Sequence, residues 1–250
     1  MRIQKLGLGL FSVRHDLERD FAGTLGAVGA IGYDGVEFFG PYSRPADEVA
    51  EALEQAGLAC CGWHTPWELV QPDRLADTIA YNQAIDNTSI IIPSLPAACT
   101  ASLEAWRATA AQFNDLAARL AGEGMTIGYH NHHTEFAPME GQTPYYVFFD
   151  NTVDAVVVQL DNGNAMQGGA DMVEIIRRYP GRAKTVHLKA YSKADGINTM
   201  IGRDDVPWTE FLEVCRAVGG TEWFIAEYEA EKDPAPLDGV RMYHQALSQM

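Results

Sequence analysis

"SLEAWRATAAQFNDLAARLAGEGMTIGYH", residues 102–130, holds one full unit of the chain's organisation. Apolar residues recur at helical spacing from Leu103 to Leu120. Ser102 or Thr100 can cap the helix start, because a hydroxyl there accepts from a backbone N–H that has no helical partner. Gly122 and Gly124 stop the helix. The run 125–130 then reads as a buried strand that closes on His130.

The same order recurs on either side. "FAGTLGAVGAIGYDGVEFFG" (21–40) is a helical stretch, a glycine stop and the strand "GVEFF". "ADEVAEALEQAGLACCGWH" (46–64) repeats it, with Gly57 past the helix end. "DMVEIIRRYPGRAKTVHLK" (171–189) and "WTEFLEVCRAVGGTEWFIAEYE" (208–229) continue the series, and "TSIIIP" (88–93) and "AVVVQLD" (155–161) add two apolar runs. Strands are expected at 6–11, 34–39, 58–63, 88–92, 125–130, 155–160, 183–188 and 222–227, with a last helix near 235–248. Alternating strands and helices imply a parallel sheet. Eight such units in 250 residues predict a closed (β/α)8 TIM barrel, a single domain over 1–250. An open dinucleotide-binding sheet would carry GxGxxG after its first strand, and "GLGLFS" lacks the third glycine.

Composition narrows the function. The formal net charge of −16 disfavours nucleic acid and anionic membrane surfaces, whose binding relies on Lys and Arg. The four cysteines show no CxxC spacing, so a disulfide framework or zinc finger is not expected. "MRIQKLGLGLFSVR" is too broken by glycine for a signal peptide, and no apolar run approaches transmembrane length. A cytoplasmic protein is expected.

Six of the eight apolar runs end on or beside an ionisable residue: Glu37, His64, His130, Asp161, His187 and Glu227. Active sites of such barrels assemble at the C-terminal ends of the strands. Strand alternation puts His130 and His132 on one face, and likewise His187 with Lys189 and Glu227 with Glu229. "GYHNHHTEF" (128–136) alone holds three of the chain's seven histidines. Carboxylates and imidazoles converging this closely call for a divalent cation, and mixed N and O donors suit Mn2+, Zn2+, Co2+ or Fe2+ better than Ca2+. A single buried histidine is more often a hydrogen-bonded core residue than a ligand; the shared placement at strand ends is what argues for a site. Trp63 and Trp67 are either packing or a platform for the apolar face of a sugar. His15, His244, Arg177-Arg178, Glu229-Ala230-Glu231 and Asp204-Asp205 read as solvated surface, while Arg203 lies in the long segment after the seventh strand.

These residues carry a resemblance. "GYDGVEFFG", "YHNHHTEF", "LDNGNAMQGGAD", "YPGRAKTVHLKAY" and "WFIAEYE" together resemble the xylose isomerase-like TIM barrels, the sugar phosphate isomerase/epimerase group, nearly end to end. The resemblance implies one divalent metal, Mn2+ or Zn2+ first and Co2+, Fe2+ or Mg2+ next. It assigns Asp161, His187 and Glu227 as ligands from strands 6, 7 and 8. Strand 5 departs from the family's glutamate and offers His130, with Glu135 as a rival. His132, Glu135 and Glu227 are the candidate catalytic acids and bases; Glu37, His64, Trp67, Lys189 and Arg203 are candidate substrate-binding residues. The expected activity is isomerisation or epimerisation of a sugar or keto-sugar through a metal-stabilised enediolate. The missing strand-5 glutamate keeps a lyase or dehydratase acting on a keto-sugar or keto-inositol as the alternative. A non-catalytic sugar-binding barrel is a further rival. A DNA-repair endonuclease of the same superfamily would need a basic groove that this charge denies. Barrels of this family often pair, so a homodimer is allowed for.

Overall fold

A computed structural model describes residues 3, 5–230 and 234–250. Eight parallel strands among them close into a barrel: β1 (Leu6–Gly9), β2 (Gly35–Phe39), β3 (Ala59–His64), β4 (Ser89–Ile92), β5 (Thr126–His130), β6 (Val157–Asp161), β7 (Thr185–Leu188) and β8 (Trp223–Ala226). Closure is the β1–β8 ladder, which pairs Leu6 with Phe224 and Leu8 with Ala226. The expected (β/α)8 architecture is therefore present, and the open-sheet rival is excluded.

Local chemistry sets the boundaries. In the helix Leu103–Ala121, Ser102 Oγ accepts the Ala105 N–H at 3.1 Å, and Trp106, Ala110, Phe113, Ala117 and Leu120 form the buried stripe. Gly57 ends the helix Ala46–Ala56 at φ 66°, a left-handed conformation that glycine adopts without steric cost. The first strand is shorter than the expected 6–11, because Leu10–Val13 turn into a 3-10 helix that buries Leu10 and Val13. The last helix spans Pro236–Leu247.

The parallel strands are buried on both faces, which is why their sequences read as continuous apolar runs. Helices pack on the outer face. The inner face is apolar at the N-terminal end and turns polar toward the C-terminal end, where Glu37, Gln159, Asp161 and His187 are buried. Among the described residues, no helix is long and apolar enough to cross a membrane.

Candidate metal centre at the barrel mouth

The six strand-end residues do converge. His187 stands at the centre: its Nε2 donates to Glu37 Oε2 at 2.6 Å, and its Nδ1 faces Glu227 Oε2 at 2.8 Å. Glu37 has room to reach it from β2 because residue 62 on β3 is glycine; a Cβ there would lie 2.7 Å from Glu37 Oε1. Burial alone would raise the pKa of Glu37, but His64 and His187 outweigh it and bring it down to about 2. For His187, burial acts to lower the pKa, and Glu37 and Glu227 overcome that and lift it to about 10.

Gln159, on β6, organises the histidines. Its Nε2 donates to Glu37 Oε1 at 2.7 Å and to Thr185 Oγ1 at 2.9 Å. A carboxylate only accepts, so the amide oxygen must face the other way, toward His64 Nε2 at 2.7 Å and His130 Nδ1 at 3.1 Å. Both of those ring nitrogens therefore carry hydrogen. His130 is left with a lone pair on Nε2, 4.0 Å from Asp161 Oδ2. Burial, with the nearby His187 and His64, holds the His130 pKa well below its usual value and keeps the ring neutral.

Asp161 ends β6 and starts the short helix Asn162–Gln167. Its Oδ1 caps that helix on the Asn164 N–H at 2.7 Å, which turns Oδ2 into the site. Oδ2 is buried and has no aligned hydrogen bond, although Lys189 Nζ lies 3.0 Å away. Burial raises the Asp161 pKa to about 6, with Lys189 opposing and Glu227 adding.

His130, Asp161, His187 and Glu227 thus each offer a donor atom, all within 4.8 Å of one another. The donor set fits a divalent transition metal on three grounds: a buried carboxylate oxygen that no aligned hydrogen bond takes, a neutral imidazole with an available lone pair, and a histidine steadied on its far nitrogen by Glu37. Glu135, the rival for strand 5, lies outside this set. It sits in the turn Thr134–Phe136, where it accepts from Tyr129 Oη at 2.8 Å and from the His132 backbone N–H at 2.9 Å. The His132 side chain is 45% exposed, with Nδ1 4.0 Å from Glu135 Oε1. Its ring lies 5.3 Å from the His130 ring, and it lines a cavity of about 490 Å³ with Trp106 and Met139. Burial shifts the His132 pKa downward, and Glu135 opposes the shift.

The other two substrate-binding candidates have no contact with the four donors among the contacts described. Trp67 stacks on Phe113 at 5.4 Å, in the packing between barrel and helix, and Trp63 stacks on Phe38. Arg203 is exposed in the segment after β7. Glu229, read as solvated, is instead 3.4 Å from Lys189 Nζ with its side chain 23% exposed; Glu231 lies outside the described residues. His244 is half-buried against Tyr33 rather than solvated.

Two asparagines escaped the sequence reading. Asn131 follows β5 and clamps the backbone of Asp161: Oδ1 accepts its N–H at 3.0 Å and Nδ2 donates to its carbonyl at 3.2 Å. Asn162 follows β6 and treats Lys189 the same way, at 2.8 and 2.9 Å. Each side-chain amide stands in for one more rung of a parallel ladder. The signal available in the sequence was an asparagine directly after a strand-end ionisable residue, in "HN" and "DN".

Comparison with known proteins agrees with this architecture. The rhizopine catabolism protein MocC of Rhizobium meliloti is 25% identical over 255 residues, covering 88% of this chain and 78% of the relative. A sugar phosphate isomerase/epimerase structure from Parabacteroides distasonis superposes with a TM-score of 0.82 at 21% identity, over 98% of this chain and 93% of that one. The probable 3-DHS dehydratase AsbF from Bacillus anthracis, involved in petrobactin synthesis, gives 0.75 at 13% identity, over 98% of each chain. At those identities the structural likeness speaks for the fold alone. The sequence model of the xylose isomerase-like TIM barrels matches residues 25–247, and this chain belongs to that family.

Proposed function

We propose that the protein is a divalent-metal-dependent isomerase or epimerase of a sugar or keto-sugar. The observation that carries the reading is the place of His132, a half-exposed imidazole whose ring lies 5.3 Å from that of His130, at the edge of the four-donor cluster. His130, Asp161, His187 and Glu227 would hold the metal, which when bound supplies Lewis-acid polarisation of a carbonyl and its neighbouring hydroxyl. His132 removes the proton from the carbon made acidic in this way, since a neutral imidazole is a competent base near neutral pH. Glu135 fixes the turn that presents His132 and faces the imidazolium once it forms. Glu37 and Gln159 keep the ligand histidines in orientation. Return of the proton to the neighbouring carbon gives isomerisation, and return to the opposite face gives epimerisation.

A second reading is favoured by the cavity of about 490 Å³ beside His132, which leaves room for a leaving group next to the same imidazole. There the protonated His132 gives its proton to a departing oxygen, and the reaction is a lyase or dehydratase step.

The test is NMR of a panel of aldoses, ketoses and keto-inositols in D2O with the Mn2+-loaded protein. Deuterium at the carbon beside the carbonyl, with an isomer or epimer as product, is the expected result. Deuterium uptake with loss of water or aglycone would select the lyase. No exchange into any member of the panel would sink both and leave a sugar-binding barrel.

A further inference from the structure

Lys189 is built into the metal centre. Its side chain is 2% exposed, and its ammonium lies 3.0 Å from Asp161 Oδ2 and 3.1 Å from Glu227 Oε2. Both residues belong to the four-donor set. The ammonium therefore holds carboxylate oxygens that a divalent ion would take. Two cations cannot share those oxygens at contact distance in a buried site, because their mutual repulsion is poorly screened there. The seat is shaped for this side chain. Asn162 clamps the Lys189 backbone at both its N–H and its carbonyl. Residue 163 is glycine, and a Cβ there would lie 2.9 Å from Lys189 Cβ and Cγ. A third carboxylate, Glu229, waits on the solvent side at 3.4 Å.

We propose that Lys189 is an exchangeable internal cation, which holds Asp161 and Glu227 in place while metal is absent and moves to Glu229 when metal binds. The inference rests on the metal-dependent reading above. In the metal-free protein the lysine prevents two buried carboxylates from repelling each other and opening the site. On metal uptake, Glu229 keeps the displaced ammonium paired, so the exchange does not strand a buried charge.

The experiment is calorimetric titration of Mn2+ into wild type, Lys189→Met, Glu229→Gln and the double variant, with thermal melts in EDTA and in Mn2+. Lys189→Met is expected to bind Mn2+ about tenfold more tightly or better, because a competing charge has gone. It should melt lower than wild type in EDTA and recover most of that loss in Mn2+. Glu229→Gln should weaken Mn2+ binding about tenfold, and the weakening should vanish in the double variant, where no ammonium remains to be housed. Lys189→Met binding Mn2+ no tighter than wild type would overturn the proposal, as would a Glu229→Gln effect that persists in the double variant. Failure of wild type to take up Mn2+ would instead strike the metal-dependent reading. In that event Mn2+ uptake by Lys189→Met alone would show a lysine that blocks the site instead of exchanging, and that outcome too overturns the proposal. If Lys189→Met folds only with Mn2+, that dependence supports the proposal. If it folds in neither condition, Glu229→Gln decides alone, and undiminished Mn2+ binding there overturns it.

Discussion

Gln159 carries no charge, yet its amide decides where two histidines keep their protons. Replacing it with Leu strands Glu37 Oε1 and frees the His64 and His130 rings to turn. Gln159→Leu should cost about 2–4 kcal/mol of stability, from several buried groups left unpaired. It should also weaken metal affinity by roughly 10–100-fold, the usual effect of losing an outer partner of a ligand. Denaturant unfolding and calorimetry check the two separately. His187 makes a second prediction. Its pKa, lifted to about 10, leaves it protonated at neutral pH, with hydrogen on the Nδ1 that faces Glu227. A metal taking Nδ1 must expel that proton. Uptake at pH 7 should release about one proton per ion, and affinity should climb with pH through the neutral range. Titration in buffers of different ionisation enthalpy counts the proton, and a count of zero would show that no proton leaves Nδ1 on uptake. Much of the strand-end cluster could be read in advance, since strand parity and strand-end placement pick out Glu37, His64, His130, Asp161, His187 and Glu227. Gln159 could not be, because a search for ionisable groups passes over an amide. Glu135 lies outside the four-donor set for a different reason: its spacing from His130 suggests reach, but a 3-10 turn sends its carboxylate to Tyr129.

At the scale of elements, the two asparagine clamps carry the β5–β6–β7 register past the last backbone rungs. Asn131→Ala removes both contacts to Asp161 and leaves the strand end to hold its own position. Amide exchange at Asp161 should quicken about tenfold or more, the equivalent of roughly 1.4 kcal/mol of lost protection. Metal affinity should fall with it. Unchanged exchange at Asp161 would show that the clamp is idle. The strands themselves were legible to within two residues, because a parallel strand buried on both faces reads as an apolar run between punctuating glycines. Strand β1 ends two residues before its apolar run does. Phe11, 38% exposed, extends the apolar run by sequence but lies beyond a turn that β1 has already entered at Leu10. The clamps were hidden because they act on the backbone of a neighbouring strand, and a single strand's pattern holds no information about its neighbour's last rung.

For the whole molecule, removing metal should lower stability without unfolding the barrel, since Lys189 and His187 still balance the buried carboxylates. At free Mn2+ near a hundred times its dissociation constant, the loaded protein should gain about 2.7 kcal/mol over the EDTA-treated one. The circular dichroism spectra of the two should overlay at 25 °C, and a metal-free chain without helical signal would contradict this. The bond between His187 and Glu37 has a wider consequence. It joins residues 150 positions apart, from β7 to β2. All four donors, His130, Asp161, His187 and Glu227, lie on or just beyond β5–β8, whereas Glu37 and His64 come from the first four strands. One half of the chain supplies the candidate donors together with Gln159, and the other half supplies the Glu37 carboxylate that braces His187. If these donors take a metal as proposed, tight uptake becomes a report on topology: it would need the two halves to have met, and the ion would proofread the closure of the ring.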